Sequence, residues 1–244
     1  MVDIMRRTLL FTATALVVLT SDVAYAQGFK GFVADVGHDY WNFVSMPDNA
    51  RIAVGGLALT GTVHFGDHRI EEDTAHVSAT TATTLKPGAT YGNLAFQVPL
   101  ALTWWLVGHV AGSERGASAG RDLLRAQISG ATFTYILKYA TDRTRPNGDP
   151  RSFPSGHATA SFATATVLQE HYGWKLGVPA YAFAAYVAGE RVTQEKHWAS
   201  DVTFGAVVGF MSGRTVTLHL RRERVAIQPH AVPGGGGVTV NVLR

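Results

Sequence analysis

Gly189-Glu190-Arg191-Val192-Thr193-Gln194-Glu195-Lys196-His197-Trp198-Ala199-Ser200-Asp201 places an arginine, five residues, a histidine, three more residues and an aspartate in a row. With a helix from Trp198 onward, His197 and Asp201 stand at i and i+4 and share a face, close enough to touch. A carboxylate on one imidazole nitrogen leaves the other unprotonated and aimed outward, as a base or nucleophile requires. Arg191 precedes the pair across a short loop and brings a fixed positive charge to the imidazole. That combination suits attack on an anionic phosphorus centre.

Two stretches upstream complete the set. Lys138 is followed after six residues by Arg145-Pro146, and Pro154-Ser155-Gly156-His157 heads an apolar run. In order, K-x6-R-P, P-S-G-H and R-x5-H-x3-D resemble the three-part signature of the type 2 phosphatidic acid phosphatases. That superfamily also holds the bacterial class A acid phosphatases and the vanadium haloperoxidases. At about one chance in twenty per position, so many matches in the right order are no coincidence. The resemblance spans residues 126–214. It implies an all-α fold, a compact helical bundle of the acid phosphatase and vanadium haloperoxidase type.

The resemblance also implies roles. His197 would be the nucleophile that forms a phosphohistidine, with Asp201 holding its tautomer. His157 would protonate the leaving alkoxide and then activate water. Lys138, Arg145 and Arg191 would cradle the phosphate, assisted by Ser155 and the Gly156 amide at a helix start, where unpaired N–H groups favour an anion. With three cations to carry the charge, neither a metal nor a cofactor is expected. The family's third block usually has serine before its arginine; here Glu190 stands there, and a carboxylate beside a phosphate is expected to turn away. Each residue has a plainer reading: Ser155 an N-cap, Lys138 a helix end, Arg145 a loop cation, either histidine a core residue. Joint order and spacing favour the site.

The rest of the chain sets limits. Its 244 residues, 46% hydrophobic and 16% charged, suit one domain rather than two. Net charge is +3, and the one basic cluster, Arg221-Arg222-Glu223-Arg224, lacks interleaved aromatics, so it reads as a solvated helix end and nucleic acid is not an expected partner. Absence of cysteine excludes disulfides, thiolate metal sites and a cysteine nucleophile. Arg6-Arg7, an apolar run from Thr8 to Thr20 and Ala24-Tyr25-Ala26 read as a signal peptide over residues 1–26. The helical domain is then expected over 27–224 and an extended tail or β-hairpin over 225–244.

Along the chain, residues 28–47 read as a packing helix that Pro47 ends, and 78–93 as a loop. His64, His68 and His76 would allow a metal, but Gly66 and the charged DHRIEED run favour a solvated face. Residues 94–112 are uncharged and suit either a bilayer span or a buried helix. Helices are expected at 119–140, 157–170 and 176–189, the last interrupted at Pro179. Gly205, Gly209 and Gly213 recur every four residues and would let two helices approach closely.

The expected function is a metal-independent phosphatase acting on phosphomonoesters or lipid phosphates. Its expected partner is a phosphorylated small molecule or lipid, with possible membrane-surface contact. Competing readings are a vanadate-dependent haloperoxidase and a non-catalytic envelope scaffold that keeps the fold. The apolar runs are short for spans, which favours an exported periplasmic protein over an integral inner-membrane protein with a periplasm-facing site.

Overall fold

Pro47 marks both the end of one helix and the start of the next. Helix α1 (Val23–Ser45) stops just before it, and α2 (Pro47–His64) starts at it. A proline has no N–H to lose in a helix's first turn, so it is at home there. The computed structural model describes residues 23–75, 87–223, 225–232 and 235–242. Most of the expected signal peptide, together with His76 and part of the 78–93 loop, lies outside the described residues; Ala24-Tyr25-Ala26 falls in the start of α1. The chain divides into two units, residues 1–38 and 39–244.

After α2 come α3 (Asp67–Ala75), a short helical segment at 87–91, α4 (Leu94–Val110) and α5 (Glu114–Thr141). Next are α6 (Gly156–Tyr172), α7 (Trp174–Thr193), α8 (Ala199–Val216) and α9 (Leu218–Glu223). The fold is all-α, a helical bundle, with one addition. Strands β1 (Val225–Val232) and β2 (Gly235–Val242) form an antiparallel hairpin, Val225 opposite Val242 and Val232 opposite Gly235. Arg221, Arg222 and Glu223 form the end of α9.

Helix α8 is the hub, packed on α6, α2, α5 and α7. Its glycine stripe makes that possible. A Cβ on Gly209 would stand 2.3 Å from the Thr159 carbonyl oxygen, and one on Gly213 2.6 Å from Thr166 Cβ. The facing strip of α6 is equally small: Ala158, Thr159, Ala163 and Thr166 meet the glycines. Helices α4 and α5 meet in the same way, with Gly120 against the Trp105 backbone and Gly108 against Ala117. Polar ties lock the register. Thr134 on α5 donates to Thr159 on α6 at 3.0 Å, and Asn49 on α2 donates to Thr215 on α8 at 2.9 Å.

Two expectations need correction. Helix α7 is continuous through Pro179, which lies near its start, where a proline disturbs few intrahelical bonds. The uncharged run 94–112 forms α4, with Gln97, Ala101 and Gly108 buried but Leu102, Leu106, Val107 and Val110 exposed. No helix among the described residues is long and apolar enough to cross a membrane.

Candidate active site

Lys138 stands in the last turn of α5, on the face it shares with Gln127, Ala131 and Thr134. Beyond it the chain reverses through Asp142 (φ 40°) and Arg151 (φ 59°), which turns two loop carbonyls back toward the helix end. Lys138 Nζ donates to Arg151 O at 2.7 Å and Ser152 O at 3.2 Å. Burial, aided by the Arg145 charge, pulls its pKa down to about 8 against the pull of Asp201. Arg145 is fixed in the loop by its own N–H, which donates to Asp149 O at 2.8 Å. Its Nε is buried without a hydrogen-bond partner.

Ser155 is the N-cap of α6, fully buried, its hydroxyl accepting from Ala158 N–H at 3.5 Å. Gly156 follows at the first helical position and faces the cavity. His157 comes next. Its Nε2 lies 3.1 Å from Ala89 O in the 87–91 segment, so that carbonyl fixes the Nε2–H tautomer and leaves Nδ1 to titrate. Burial lowers His157 to about 4, and Arg191 and His197 lower it in the same direction.

His197 precedes α8 instead of riding on its face. Trp198 is the extended N-cap (φ −69°, ψ 157°), and Asp201 at the third helical position reaches back to accept from Trp198 N–H at 2.9 Å. This folding-back, not a helical face, brings Asp201 Oδ2 to 3.6 Å from His197 Nδ1. The loop closes on Arg191, whose carbonyl accepts from Lys196 and His197 N–H at 3.0 and 3.2 Å. His197 is 4% exposed, and burial pulls it down to about 4 although Asp201 pulls the other way. It is therefore a neutral imidazole near neutral pH. Asp201 is raised by burial, but donors from His197, Ser152, Arg143 and Trp198 hold it below the ordinary carboxylate range.

Six of the eight anticipated residues, Lys138, Arg145, Gly156, His157, Arg191 and His197, line one cavity of about 230 Å³. Asp201 stands behind His197, and Ser155 is engaged as a cap. Glu190 does not pair with a loop cation. It is 1% exposed and grips Arg191 itself, accepting from Nε and Nη2 at 2.5 Å each. A carboxylate buried there needs a cation, and its neighbour supplies one.

Several residues were not anticipated. Arg143 donates to Asp201 Oδ1 and to Asp67 Oδ2, both at 2.7 Å, and to the Ser200 hydroxyl at 2.7 Å. Asp67, 2% exposed at the start of α3, also accepts from Ser200 N–H at 2.9 Å and its hydroxyl at 2.5 Å. Ser152 donates a short hydrogen bond to Asp201 Oδ2. His64, at 3.0 Å, completes the Asp67 cluster, while His68 stacks edge-on against Trp198. The one sequence cue was the alternation Arg143-x-Arg145. Nothing marked Asp67. Among the described residues no group of three histidine, cysteine or carboxylate side chains is placed to hold a metal.

Residues 120–224 match the PAP2 superfamily. The lipid A 1-phosphatase of Porphyromonas gingivalis is 40% identical over 80 residues, 31% of this chain and 18% of that protein. The lipid A 4'-phosphatase of Helicobacter pylori is 30% identical over 79 residues, 32% of this chain and 40% of that one. The chain spans less than half the length of these relatives in the matched region. Among solved structures, the transmembrane PAP2 type phosphatidylglycerolphosphate phosphatase from Bacillus subtilis superposes with a TM-score of 0.61 at 18% identity, covering 71% of this chain and 96% of that one. LpxE of Aquifex aeolicus gives 0.53 at 20% identity, over 63% and 94%. Both share the PAP2 fold, and Lys138, Arg145, His157, Arg191 and His197 all fall inside the matched PAP2 region.

Proposed function

We propose that this protein is a phosphatase that hydrolyses lipid-borne phosphomonoesters through a phosphohistidine on His197. The observation that carries the proposal is the neutral, buried imidazole of His197, backed by Asp201, in a cavity shared with Lys138, Arg145, Arg191 and the Gly156 amide. Phosphoryl transfer passes through a loose state with charge spread over the peripheral oxygens, so positioned cations and amides do most of the work. The unpartnered Arg145 Nε is a donor suited to one of those oxygens.

In the first step His197 Nε2 attacks phosphorus, the P–N bond forms, and the P–O ester bond breaks. His157 gives its Nδ1 proton to the departing alkoxide. At a pKa of about 4 it is neutral in the empty site, and a bound dianion beside it raises that value, so substrate brings the acid into its working state. In the second step water attacks phosphorus, His157 takes its proton, and the P–N bond breaks to release phosphate. Lys138, Arg145 and Arg191 supply the charge that a metal would otherwise supply, and the activity is metal-independent.

The lipid assignment draws support from the names of the relatives and from the surface. Val54, Leu57 and Phe65 stand exposed at helical spacing along and just beyond α2, and Leu106, Val107 and Val110 on α4. Exposed apolar faces of this kind suit contact with a membrane or another protein, and the relatives favour the membrane. The reading places the protein outside the cytoplasm, at the membrane surface. A panel of nitrophenyl phosphate, phosphatidic acid, phosphatidylglycerophosphate and a phosphorylated glycolipid, assayed with EDTA, tests it. Turnover of a lipid phosphate is expected for the wild type and none for His197→Ala. Turnover by His197→Ala would overturn the mechanism, and inactivity on every ester would overturn the activity.

A further inference from the structure

The cavity extends well beyond the phosphate cradle. Gln127, Ala131, Thr134 and Lys138 all line it, and they form one stripe along α5. Thr134 stands beside the amide of Gly156, since a Cβ there would lie 3.8 Å from Thr134 Cγ2. Gln127 is seven residues further back, which at the helical rise is about 10 Å. Leu94, Ala131 and Ala160 wall this inner end with apolar surface.

Gln127 is 2% exposed, and its amide orientation is fixed. Nε2 donates to Ala160 O at 3.1 Å, and a carbonyl can only accept. Nε2 also donates to Thr164 Oγ1 at 2.9 Å, while the Thr164 hydroxyl gives its one proton to Gln97 Oε1 at 2.6 Å. Gln97 is fixed in turn, because its Nε2 donates to Tyr91 O at 2.8 Å. Both Gln127 Nε2 protons and the Thr164 hydroxyl proton are therefore committed. Flipping the Gln127 amide would set oxygen against the Ala160 carbonyl, so Oε1 remains an acceptor with nothing to accept. A buried carbonyl in that state costs free energy unless a donor reaches it.

Five buried side-chain atoms among the described residues lack a hydrogen bond, and two belong to residues lining the cavity. Arg145 Nε is a donor at the phosphate end. Gln127 Oε1 is an acceptor at the other.

We propose that Gln127 forms an inner subsite for the alcohol portion of the substrate, its Oε1 accepting from a hydroxyl or amide N–H carried about 10 Å from phosphorus. The substrate class is then a phosphate ester whose alcohol bears a polar donor at that reach, in preference to a purely hydrocarbon one. This rests on the phosphatase reading above and sharpens it.

The test uses two matched series, ω-hydroxyalkyl phosphates and methyl-ended alkyl phosphates of equal length, with nitrophenyl phosphate as reference. At bond lengths near 1.5 Å, about six to eight methylenes span the distance. The wild type is expected to favour the hydroxyl-ended ester about tenfold in kcat/KM at that length, and not at about two or three carbons. In Gln127→Met the ratio should fall to near one. A general loss of packing lowers both members of a pair and leaves their ratio alone, so the ratio decides even in a weakened enzyme. The wild-type length profile reads the subsite without any variant. Hydrolysis of nitrophenyl phosphate with no length-dependent preference would overturn the subsite alone. A preference that survived in Gln127→Met would overturn the role of Gln127. Failure to hydrolyse any of these esters would overturn the phosphatase reading and the subsite with it.

Discussion

At Lys138, burial and the neighbouring Arg145 bring the ammonium pKa to about 8, within easy reach of an assay. In the proposed phosphate cradle this lysine acts as a cation, and a lysine is charged below its pKa. In the free enzyme kcat/KM should therefore fall as pH rises through about 8, while bound phosphate pulls the pKa up and moves the limb seen in kcat to higher pH. Lys138→Arg, which cannot lose its proton in this range, should remove that alkaline limb at some cost in rate. A limb unchanged in Lys138→Arg would assign it to another group. Lys138 was legible from its spacing to Arg145-Pro146. The grip of Glu190 on Arg191 was not, because a sequence shows that a carboxylate is present but not which cation it will be buried with.

On the scale of elements, α3 is joined to the catalytic loop by charge. Asp67 at its start holds Arg143, and Arg143 holds Asp201, the residue behind His197. Asp67 touches none of the groups that would meet substrate, so it acts by position. Asp67→Asn keeps an acceptor for Ser200 but removes the charge facing Arg143, which should then shift and loosen Asp201. An ångström of misplacement can cost about a hundredfold, and we expect kcat to fall at least about tenfold with KM little changed. Steady-state kinetics on a soluble ester checks this; a rise in KM alone would mean that Asp67 shapes binding instead. Spacing alone offered Asp201 a partner in its own loop; Arg143, 58 residues upstream, and Asp67 behind it were not legible. No local pattern encodes a pairing between distant helices. The His197–Asp201 contact was anticipated on a helical face, yet the capping of α8 by Asp201 creates it; the spacing is the same and the geometry different.

For the molecule as a whole, helix order and the close-packing face of α8 were legible from small residues at four-residue intervals, while its partner α6 was not. The boundary at Pro47 held, but the break at Pro179 was misjudged, since proline is tolerated near a helix start. The inner cavity was invisible in sequence: Gln127, Ala131 and Ala160 carry no motif and gain meaning only when α5 and α6 lie side by side. What the assembled bundle accomplishes is to surround one neutral histidine with three cations, an acid and a backing carboxylate drawn from separate segments. The central consequence of the proposed mechanism is a covalent phosphoryl-enzyme. The most direct measurement is to mix His157→Ala with ³²P-labelled nitrophenyl phosphate, quench, and map the label. Nitrophenolate leaves without a proton, so the first step should survive while the second stalls, and acid-labile, base-stable label should accumulate on His197. No trapped label in His157→Ala, together with continued turnover by His197→Ala, would contradict the account.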